Sequence, residues 1–345
     1  MTNLDSNPNK RRMILSILII ILIVSTTLII VNLKEDQTLS VTDANGTEIK
    51  FEQAPETIVS TAPSITEILF ALNLGDEIVG ITTQADYPEE ISGLKADGTF
   101  TEIGGFFTPN LEIIITLEAE VIFTISDIQS HIELTESLRA LNRPVVVLYG
   151  GHSIENIYKN IVLISNIMDS GKDGNELVQT MKDQINLISD ITDNEAISPS
   201  ILYALWLDPI STTGNDTFVS EIINHSGGKN VFEDQSSWIT IGFEDLIAKN
   251  PEVILISATY LPQTPEEYLL QFENDAIWNS ISAVQNNKVY FLFDQAENIL
   301  NRQSVRVVEA IQLLANILYP DLFDNQVPNT IGNDYLDYIG SIAGS

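Results

Sequence analysis

The chain has 345 residues, enough for two cores of ordinary domain size, and its hydrophobic content of 44% is normal for globular protein and argues against disorder throughout. Its 48 acidic residues outnumber the 16 basic ones, so nucleic acid is a poor partner, because binding phosphates needs clustered lysine and arginine. The absence of cysteine excludes disulfide bonds and a lipid attached through a thiol.

An uncharged apolar run of 21 residues, Met13 to Leu33, lies close to the amino terminus. At about 1.5 Å per residue a helix of this length spans a hydrocarbon core of roughly 30 Å. Lys10, Arg11 and Arg12 precede it, so the positive-inside rule predicts a cytoplasmic tail over 1–12, an anchor over 13–33 and the remainder outside the cytoplasm. A cleaved secretory signal is the alternative, although no A-x-A pattern follows the run before Lys34. A buried core helix is a third interpretation, which leaves the basic flank unexplained.

Residues 34–54 are polar and rich in turn chemistry. Asn45-Gly46 is a favoured dipeptide for a two-residue hairpin turn, and alternating apolar residues flank it on both sides. We therefore expect a linker that contains a short hairpin, placed before the first domain.

The stretch from Thr57 to Glu90 predicts one strand-helix-strand unit. Ile58 and Val59 indicate a short buried strand, and Ser64 with Glu67 three residues later is typical of a capping box that opens a helix from Ile65 to Asn73. A second apolar strand is predicted at Ile78 to Ile81. Such alternation indicates a parallel sheet, whose ligand crevice lies beyond the carboxyl ends of its strands. The loops over 61–64 and 82–88 should therefore lie on the rim of that crevice.

Strands and helices keep alternating to the end of the chain. The further predicted strands are Val121 to Ile125, Val145 to Leu148, Ile201 to Leu205, Val253 to Ser257 and Val289 to Phe293. The further predicted helices are Leu111 to Leu117, His131 to Leu141, Ser153 to Met168, Asn175 to Ile191, Phe218 to Asn224, Glu244 to Asn250 and Ser304 to Leu318. This order predicts an α/β fold with two parallel-sheet lobes joined by a long helical linker. The expected divisions are 34–54 linker and hairpin, 55–150 first lobe, 151–194 helical linker, 195–322 second lobe and 323–345 polar tail.

Common enzyme signatures are absent from the sequence. It contains no Gly-x-Ser-x-Gly elbow, phosphate loop, dinucleotide glycine fingerprint or His-Glu-x-x-His motif. Its three histidines, His131, His152 and His225, are too scattered to predict a zinc site from their spacing. We therefore expect no catalytic residue and no bound metal. A metal-dependent enzyme or a surface sensor domain remains an alternative that the fold class would permit.

Aromatic residues at loops and strand ends are the better candidates for a binding site, because side chains there face a crevice rather than a sheet interior. The candidates are Tyr87, Phe106, Phe107, Trp206 and Trp238, although each of them, taken alone, is more simply a core residue. Trp238 is the strongest, since the residues around it are too polar for a core segment. Arg302 and Arg306, one helical turn apart in the predicted last helix, are the basic candidates, with a solvated helix face as the alternative.

Glu112 and Glu244 occupy matching positions in a weak internal repeat. Each lies in the first turn of a predicted helix, within the phrases PNLEIIITLEAEVIFTIS and GFEDLIAKNPEVILISA. Two carboxylates on matched surfaces would suit a partner with paired basic residues, although each alone is also a favourable helix-dipole charge.

Several motifs in order resemble a known family. They are IVSTAPSITEILFALNLGDEIVG, ADYP, GGFFTPNLEIIITLEAEVI, SGGKNVF, FEDLIAKNPEVILIS and SVRVVEAIQLLANILYP. From about Val41 to Leu322 the chain resembles the substrate-binding proteins of ABC importers for cobalamin and iron chelates, the class with a helical backbone between its lobes. The resemblance implies two rigid lobes with the ligand between them and no cofactor beyond the transported ligand. It also implies docking of Glu112 and Glu244 on arginines of an ABC permease, which works with its ATPase.

Within this family the cobalamin-binding member is the most similar. Phe106 and Trp238 match aromatic residues that line its corrin pocket, and Asp86-Tyr87-Pro88 follows the same loop. Gln84 stands where that member has an aromatic residue. The resemblance implies that Pro63, Ser64 and Gln84 join the aromatic and arginine candidates as ligand contacts. It leaves a corrinoid as the first ligand class and a ferric siderophore or haem as the second.

Overall fold

The structure is a computed structural model that describes residues 38–323 and 325–340. The described residues fall into two compact units, one of residues 38–40 with 50–54 and one of residues 41–49, 55–323 and 325–340. All the features below belong to the second unit, apart from the outer residues of strands β1 and β2. No helix in the described part of the chain is both long and apolar enough to cross a membrane. The anchor predicted over 13–33 lies outside the described residues.

The first α/β half is built on a five-stranded parallel sheet. Its strands, with those of two small sheets beside it, are β1 (Leu39–Thr42), β2 (Glu48–Phe51), β3 (Ile58–Ser60), β4 (Ile78–Ile81), β5 (Thr101–Glu102), β6 (Gly104–Gly105), β7 (Thr108–Pro109), β8 (Val121–Ile125) and β9 (Val145–Leu148). The order β5-β4-β3-β8-β9 is parallel throughout, and every residue of β3, β8 and β9 is buried. Short apolar runs of this kind are typical of parallel strands that are covered on both faces. The helices are α1 (Pro63–Ala71), α2 (Ile91–Ala96), α3 (Leu111–Thr116) and α4 (Gln129–Ala140).

Helix α1 begins earlier than the capping-box prediction. Its first residue is Pro63 and its N-cap is Ala62, which has no capping side chain. Proline suits the first helical position because it lacks a backbone N–H that would otherwise need a partner. Ser64 therefore lies inside the first turn, and the carboxylate of Glu67 binds two arginines instead of closing a capping box.

Two long helices, α5 (Ile154–Ile167) and α6 (Gly171–Thr192), follow the first sheet. The prediction for α5 is confirmed to within a residue at each end, and Ser153 caps it by accepting from the N–H of Asn156. Helix α6 starts four residues before the predicted Asn175. Its start is hidden in the sequence because Gly171 and Gly174, usually helix-ending residues, lie in its first turn.

The second α/β half contains a seven-stranded sheet that is mixed rather than parallel as predicted. Its strands are β10 (Ser200–Leu207), β11 (Ile210–Thr213), β12 (Lys229–Asn230), β13 (Trp238–Ile241), β14 (Val253–Ser257), β15 (Val289–Leu292) and β16 (Thr330–Ile331). Strand β10 pairs in parallel with β12 and β14, and the pairs β14–β15 and β15–β16 are also parallel. Strand β11 pairs antiparallel with both β10 and β13, which makes this edge of the sheet antiparallel. The edge forms because β10 continues past the predicted end at Leu205 and turns back at Asp208-Pro209, a chain reversal too short for a parallel crossover.

The helices of the second half include four that the sequence interpretation missed. They are α7 (Phe218–His225), α8 (Phe243–Lys249), α9 (Pro265–Asn274), α10 (Ser282–Gln285), α11 (Asp294–Asn301), α12 (Val307–Leu318) and α13 (Pro320–Phe323), with single 3₁₀ turns at Trp278–Ser280 and Tyr335–Tyr338. Helices α9, α10, α11 and α13 were not predicted, although Thr264 and Glu267 form a capping box at the start of α9. The predicted helix from Ser304 begins at Val307.

Part of the predicted polar tail is integrated into the fold. Strand β16 pairs with β15, and the buried Tyr335 donates a hydrogen bond to Glu309 on α12 at 2.5 Å. Tyr335 is therefore a core residue of the second half.

Candidate ligand-binding cavity

A cavity of about 610 Å³ lies between the two α/β halves. One wall comes from the amino end of α1 and from the loops after β4, β8 and β9, and the other from the start of α7, from β13 and from α11 with the residues after it. This position agrees with the expected crevice at the carboxyl ends of parallel strands.

Seven of the predicted ligand contacts line this cavity: Pro63, Ser64, Gln84, Phe106, Phe107, Trp238 and Arg302. Three predicted contacts, Tyr87, Trp206 and Arg306, are not among its lining residues. The lining also includes residues that the sequence pattern did not single out: Asp127, His152, Asp216, Tyr260, Glu297, Asn298, Asn301 and Gln303.

Large aromatic side chains from both halves are presented to the cavity. Phe107 is 69% exposed and packs edge-on against Phe106, with 4.7 Å between ring centroids. Trp238 is 44% exposed and packs edge-on against Tyr203. Aromatic rings that remain this open to solvent are typical of a surface that covers an apolar ligand.

Phe106 is held by hydrogen bonds on both sides of its peptide. Its N–H donates to Oε1 of Gln84 at 2.9 Å, and its carbonyl oxygen lies 2.8 Å from Nε2 of His131. Gln84 therefore braces the β6–β7 hairpin that carries Phe106 and Phe107. Gly104 is required there, because its φ is +97° and an added Cβ would lie 2.6 Å from the carbonyl oxygen of Thr108.

His131 is completely buried behind Phe106. The sequence pattern assigned it no role in the site. With Nε2–H donating to Phe106, its Nδ1 lies 3.1 Å from the Thr61 hydroxyl and acts as the acceptor. Burial lowers the pKa of His131, while the contact with Phe106 and the charge of Asp127 raise it by less. The neutral imidazole is therefore the form that fits this site.

We expect the free energy of unfolding to decrease as the pH falls below about 6.5, the ordinary pKa of histidine. The unfolded chain then takes up a proton that the buried His131 does not, so the stability present above that pH is progressively lost. Urea unfolding at pH 7.5, 6.5 and 5.5 measures the slope. His131→Gln keeps an N–H donor for Phe106. In this variant the decrease in the free energy of unfolding between pH 6.5 and 5.5 should be smaller by up to about 1 kcal/mol. Equal slopes in the two proteins would contradict this role.

The two predicted arginines are engaged in ion pairs. Arg302 lies 3.0 Å from Glu67 and 2.5 Å from Asp86, and it also donates to the carbonyl of Gln84. Arg306 is only 2% exposed and binds both oxygens of Glu67, with its guanidinium over the ring of Tyr87 at 3.9 Å. Arg306 and Tyr87 therefore belong to the buried cluster around Glu67 rather than to the cavity lining, and the positive charge of Arg302 is already balanced.

Three carboxylates line the same cavity, each of them tied to a loop. Oδ2 of Asp127 accepts from the Gly151 N–H at 3.1 Å, and Oδ1 of Asp216 accepts from the Ser237 N–H. Oε2 of Glu297 accepts from the N–H groups of Ala258 and Thr259 at 3.0 and 2.8 Å. Asp127 follows the buried strand β8 at its carboxyl end, a signal by which the sequence could have identified it.

Trp206 and the two predicted docking glutamates lie elsewhere. Trp206 is half-exposed near the end of β10. Glu112 and Glu244 are exposed, each in the first turn of its helix, α3 and α8. The structure therefore places both glutamates at solvent-facing helix starts, one in each half.

A family model described as periplasmic binding protein matches residues 58–296, which include both sheets apart from β16 and most of the cavity lining. The chain belongs to this family. The predicted membership among the binding proteins of ABC importers is thereby confirmed. Periplasmic binding proteins carry ligands and do not transform them, so the chain is not an enzyme, and what the cavity holds is a transported ligand rather than a cofactor.

Three similar proteins illustrate the family. The chain is 28% identical to the uncharacterized ABC transporter substrate-binding lipoprotein YvrC of Bacillus subtilis, over 83% of this chain and 87% of that protein. It is 26% identical to the vitamin B12-binding protein of Vibrio parahaemolyticus, over 74% and 86%. The crystal structure of the periplasmic vitamin B12 binding protein BtuF of Vibrio cholerae superposes with a TM-score of 0.62, at 25% identity, over 77% of this chain and 98% of that chain. This periplasmic binding protein thus shares its α/β architecture with a relative of the cobalamin-binding class.

Proposed function

We propose that this periplasmic binding protein captures a corrinoid between two lobes, residues 55–150 and 195–322, and delivers it to an ABC permease. The observation that carries the proposal is the chemistry of the cavity wall, where aromatic faces meet carboxylates and neutral amides. Arg302 is the arginine of the wall, and two carboxylates already neutralise it. A neutral or cationic ring system fits such a wall better than an anion does.

The polar groups of the wall suit the carboxamide rim of a corrin ring. Oδ1 of Asn301 accepts a hydrogen bond from the Tyr203 hydroxyl at 2.8 Å. This contact uses the oxygen of the amide and leaves its NH₂ group as a donor. Gln303 uses its Nε2 to reach the Asn301 carbonyl, which leaves its Oε1 as an acceptor. Side-chain amides of this kind both donate to and accept from carboxamides.

A ferric siderophore or haem is the second candidate ligand, because Arg302 does line the cavity. Binding of an anionic chelate through Arg302 would require the arginine to exchange Glu67 or Asp86 for the ligand. Loss of iron-chelate binding in Arg302→Ala, together with absence of corrinoid binding, would favour this candidate.

We also propose that residues 13–33 anchor the protein in the cell membrane, with the binding domain outside the cytoplasm and Glu112 and Glu244 facing the permease. The apolar run, its basic flank and the absence of cysteine for lipid attachment support the anchor. Membrane fractionation with protease accessibility tests it: a membrane-bound chain that is digested from outside is the expected result, and release of a shortened soluble chain would contradict it.

The expected result of calorimetric titration with cyanocobalamin is binding that depends on Trp238. Trp238→Ala removes an aromatic face from the cavity wall and should weaken binding about tenfold or more. Trp206→Ala is the matched control, because Trp206 is similarly exposed but does not line the cavity, and it should leave the affinity within about twofold of the original. Absence of corrinoid binding tighter than roughly millimolar would overturn the ligand assignment.

A further inference from the structure

His152 lines the cavity, but the proposed function assigns it no role. It lies in the loop between β9 and α5 and leaves 70% of its side chain exposed. An exposed imidazole on the wall of a ligand cavity is available to the ligand itself.

The carboxylate of Asp127 lies beside the imidazole of His152. Its Oδ2 lies 3.4 Å from Nε2 of His152, and the same oxygen accepts from the N–H of Gly151, which fixes the carboxylate. A carboxylate facing one ring nitrogen keeps the proton on that nitrogen and leaves the other nitrogen as a lone-pair donor. Metal-binding histidines are typically held in this way, with a carboxylate on the second nitrogen.

His131, which lies behind Phe106, differs from His152 in both its contacts and its burial. Both nitrogens of His131 have partners in the protein, and its side chain is completely buried. Among the described residues that line the cavity, His152 is the one imidazole. A nitrogen donor suits the metal of a tetrapyrrole-type ring, for which imidazole is an established class of ligand.

We propose that Nδ1 of His152 is an axial ligand for the metal at the centre of the bound ring, the cobalt ion if the cargo is a corrinoid. This inference rests on the proposed function and names the atom that would distinguish among corrinoids. Where the incoming cobalt carries a water molecule, the Co–O bond breaks, a Co–N bond forms to Nδ1, and the water leaves into the cleft. No electron is transferred, and the proton stays on Nε2 beside Asp127.

The test compares two corrinoids with the full-length protein in detergent. Aquocobalamin has a replaceable water on cobalt, whereas cyanocobalamin holds its cyanide firmly. We expect the visible absorption spectrum of aquocobalamin to change on binding to that of an imidazole-ligated cobalamin. His152→Ala should abolish this change and weaken aquocobalamin binding about tenfold to a hundredfold, with cyanocobalamin affinity within about twofold of the original.

Two further variants separate a direct ligand from a general effect on the site. Asp127→Asn should keep the spectral change but weaken aquocobalamin binding about tenfold, because the orienting carboxylate is lost. His225→Ala is the control, since His225 lies at the end of α7, packs on Ser189 and does not line the cavity. It should leave both the spectrum and the affinities unchanged.

The outcomes distinguish the inference from the function on which it rests. Binding of cyanocobalamin with an unchanged aquocobalamin spectrum would overturn the axial-ligand role and leave the proposed function standing. Absence of binding by either cobalamin would overturn the proposed ligand and this inference together. A spectral change that persists in His152→Ala would assign the ligand to another residue and also overturn the inference.

Discussion

Replacing Glu67 by alanine is expected to lower the free energy of unfolding by about 3–5 kcal/mol, because it leaves the buried guanidinium of Arg306 without its carboxylate. The loss is large because Glu67 uses both oxygens. Its Oε1 accepts from Arg302 and Arg306 at 3.0 and 2.7 Å, and its Oε2 accepts from Arg306 at 3.0 Å and from the Ser304 hydroxyl. Urea unfolding of the variant measures the change.

Two control variants show that burial is the cause. Glu176→Ala removes the partner of Lys172 in an exposed helical pair and should cost no more than about 0.5 kcal/mol. The double variant Glu67→Leu/Arg306→Met replaces both charges by apolar side chains of similar volume and should be more stable than Glu67→Ala. Glu67→Ala as stable as Glu176→Ala would contradict the prediction.

The Glu67 cluster also has a structural consequence for the cavity. Glu67 belongs to α1 in the first half, whereas Arg302, Ser304 and Arg306 belong to the connection between α11 and α12 in the second. Burial works to lower the pKa of Arg306, but the charge of Glu67 and its hydrogen bonds more than reverse this, so the guanidinium stays charged. A charged, hydrogen-bonded contact thus joins the two halves, and one of its members, Arg302, lines the cavity.

Most secondary structure could be predicted because its signal is local. The buried strands β8 and β14 have the predicted bounds, and α5 follows its apolar period of 3.6 residues. The start of α12 was placed three residues too early, at Ser304, since the residues around it include neither proline nor glycine to mark the boundary. Arg302 and Arg306 are consequently not one turn apart on a helix, as predicted, but follow α11 and precede α12.

The candidate site was only partly visible in the sequence, for a different reason. Phe106 is identified by its place in a predicted loop and Trp238 by its polar neighbours, and both are local properties. The pairing of Glu67 with Arg306 joins residues 239 positions apart, and no local pattern encodes it. The same holds for Trp206 and Trp238. Both lie on the antiparallel edge of the second sheet, but only the register of that edge, with Trp238 opposite Thr213, decides which of them reaches the cavity.

Reversing the charge of both predicted docking residues, Glu112→Lys with Glu244→Lys, is expected to abolish transport while leaving ligand binding intact. Both carboxylates are exposed and do not line the cavity, so they are free to meet basic residues of a permease. Each lies in a helix start that is fixed without it, since Asn110 caps α3 and the N–H of Gly242 donates to Asp245 at the start of α8. The substitutions should therefore cost only about 1 kcal/mol each in stability.

Opposing like charges at a protein interface costs several kcal/mol, so uptake of labelled ligand in cells that carry the cognate permease should fall about a hundredfold or more. Glu155→Lys with Glu266→Lys is the matched control, because it makes the same charge change at exposed first-turn glutamates of α5 and α9. If the control pair lowers uptake as much as the docking pair, net charge rather than docking determines the loss. If the docking pair retains uptake, the paired-glutamate surface is not where the permease binds. A selective loss in the docking pair, with unchanged affinity for the ligand, would separate delivery from capture and assign each to its own surface of the protein.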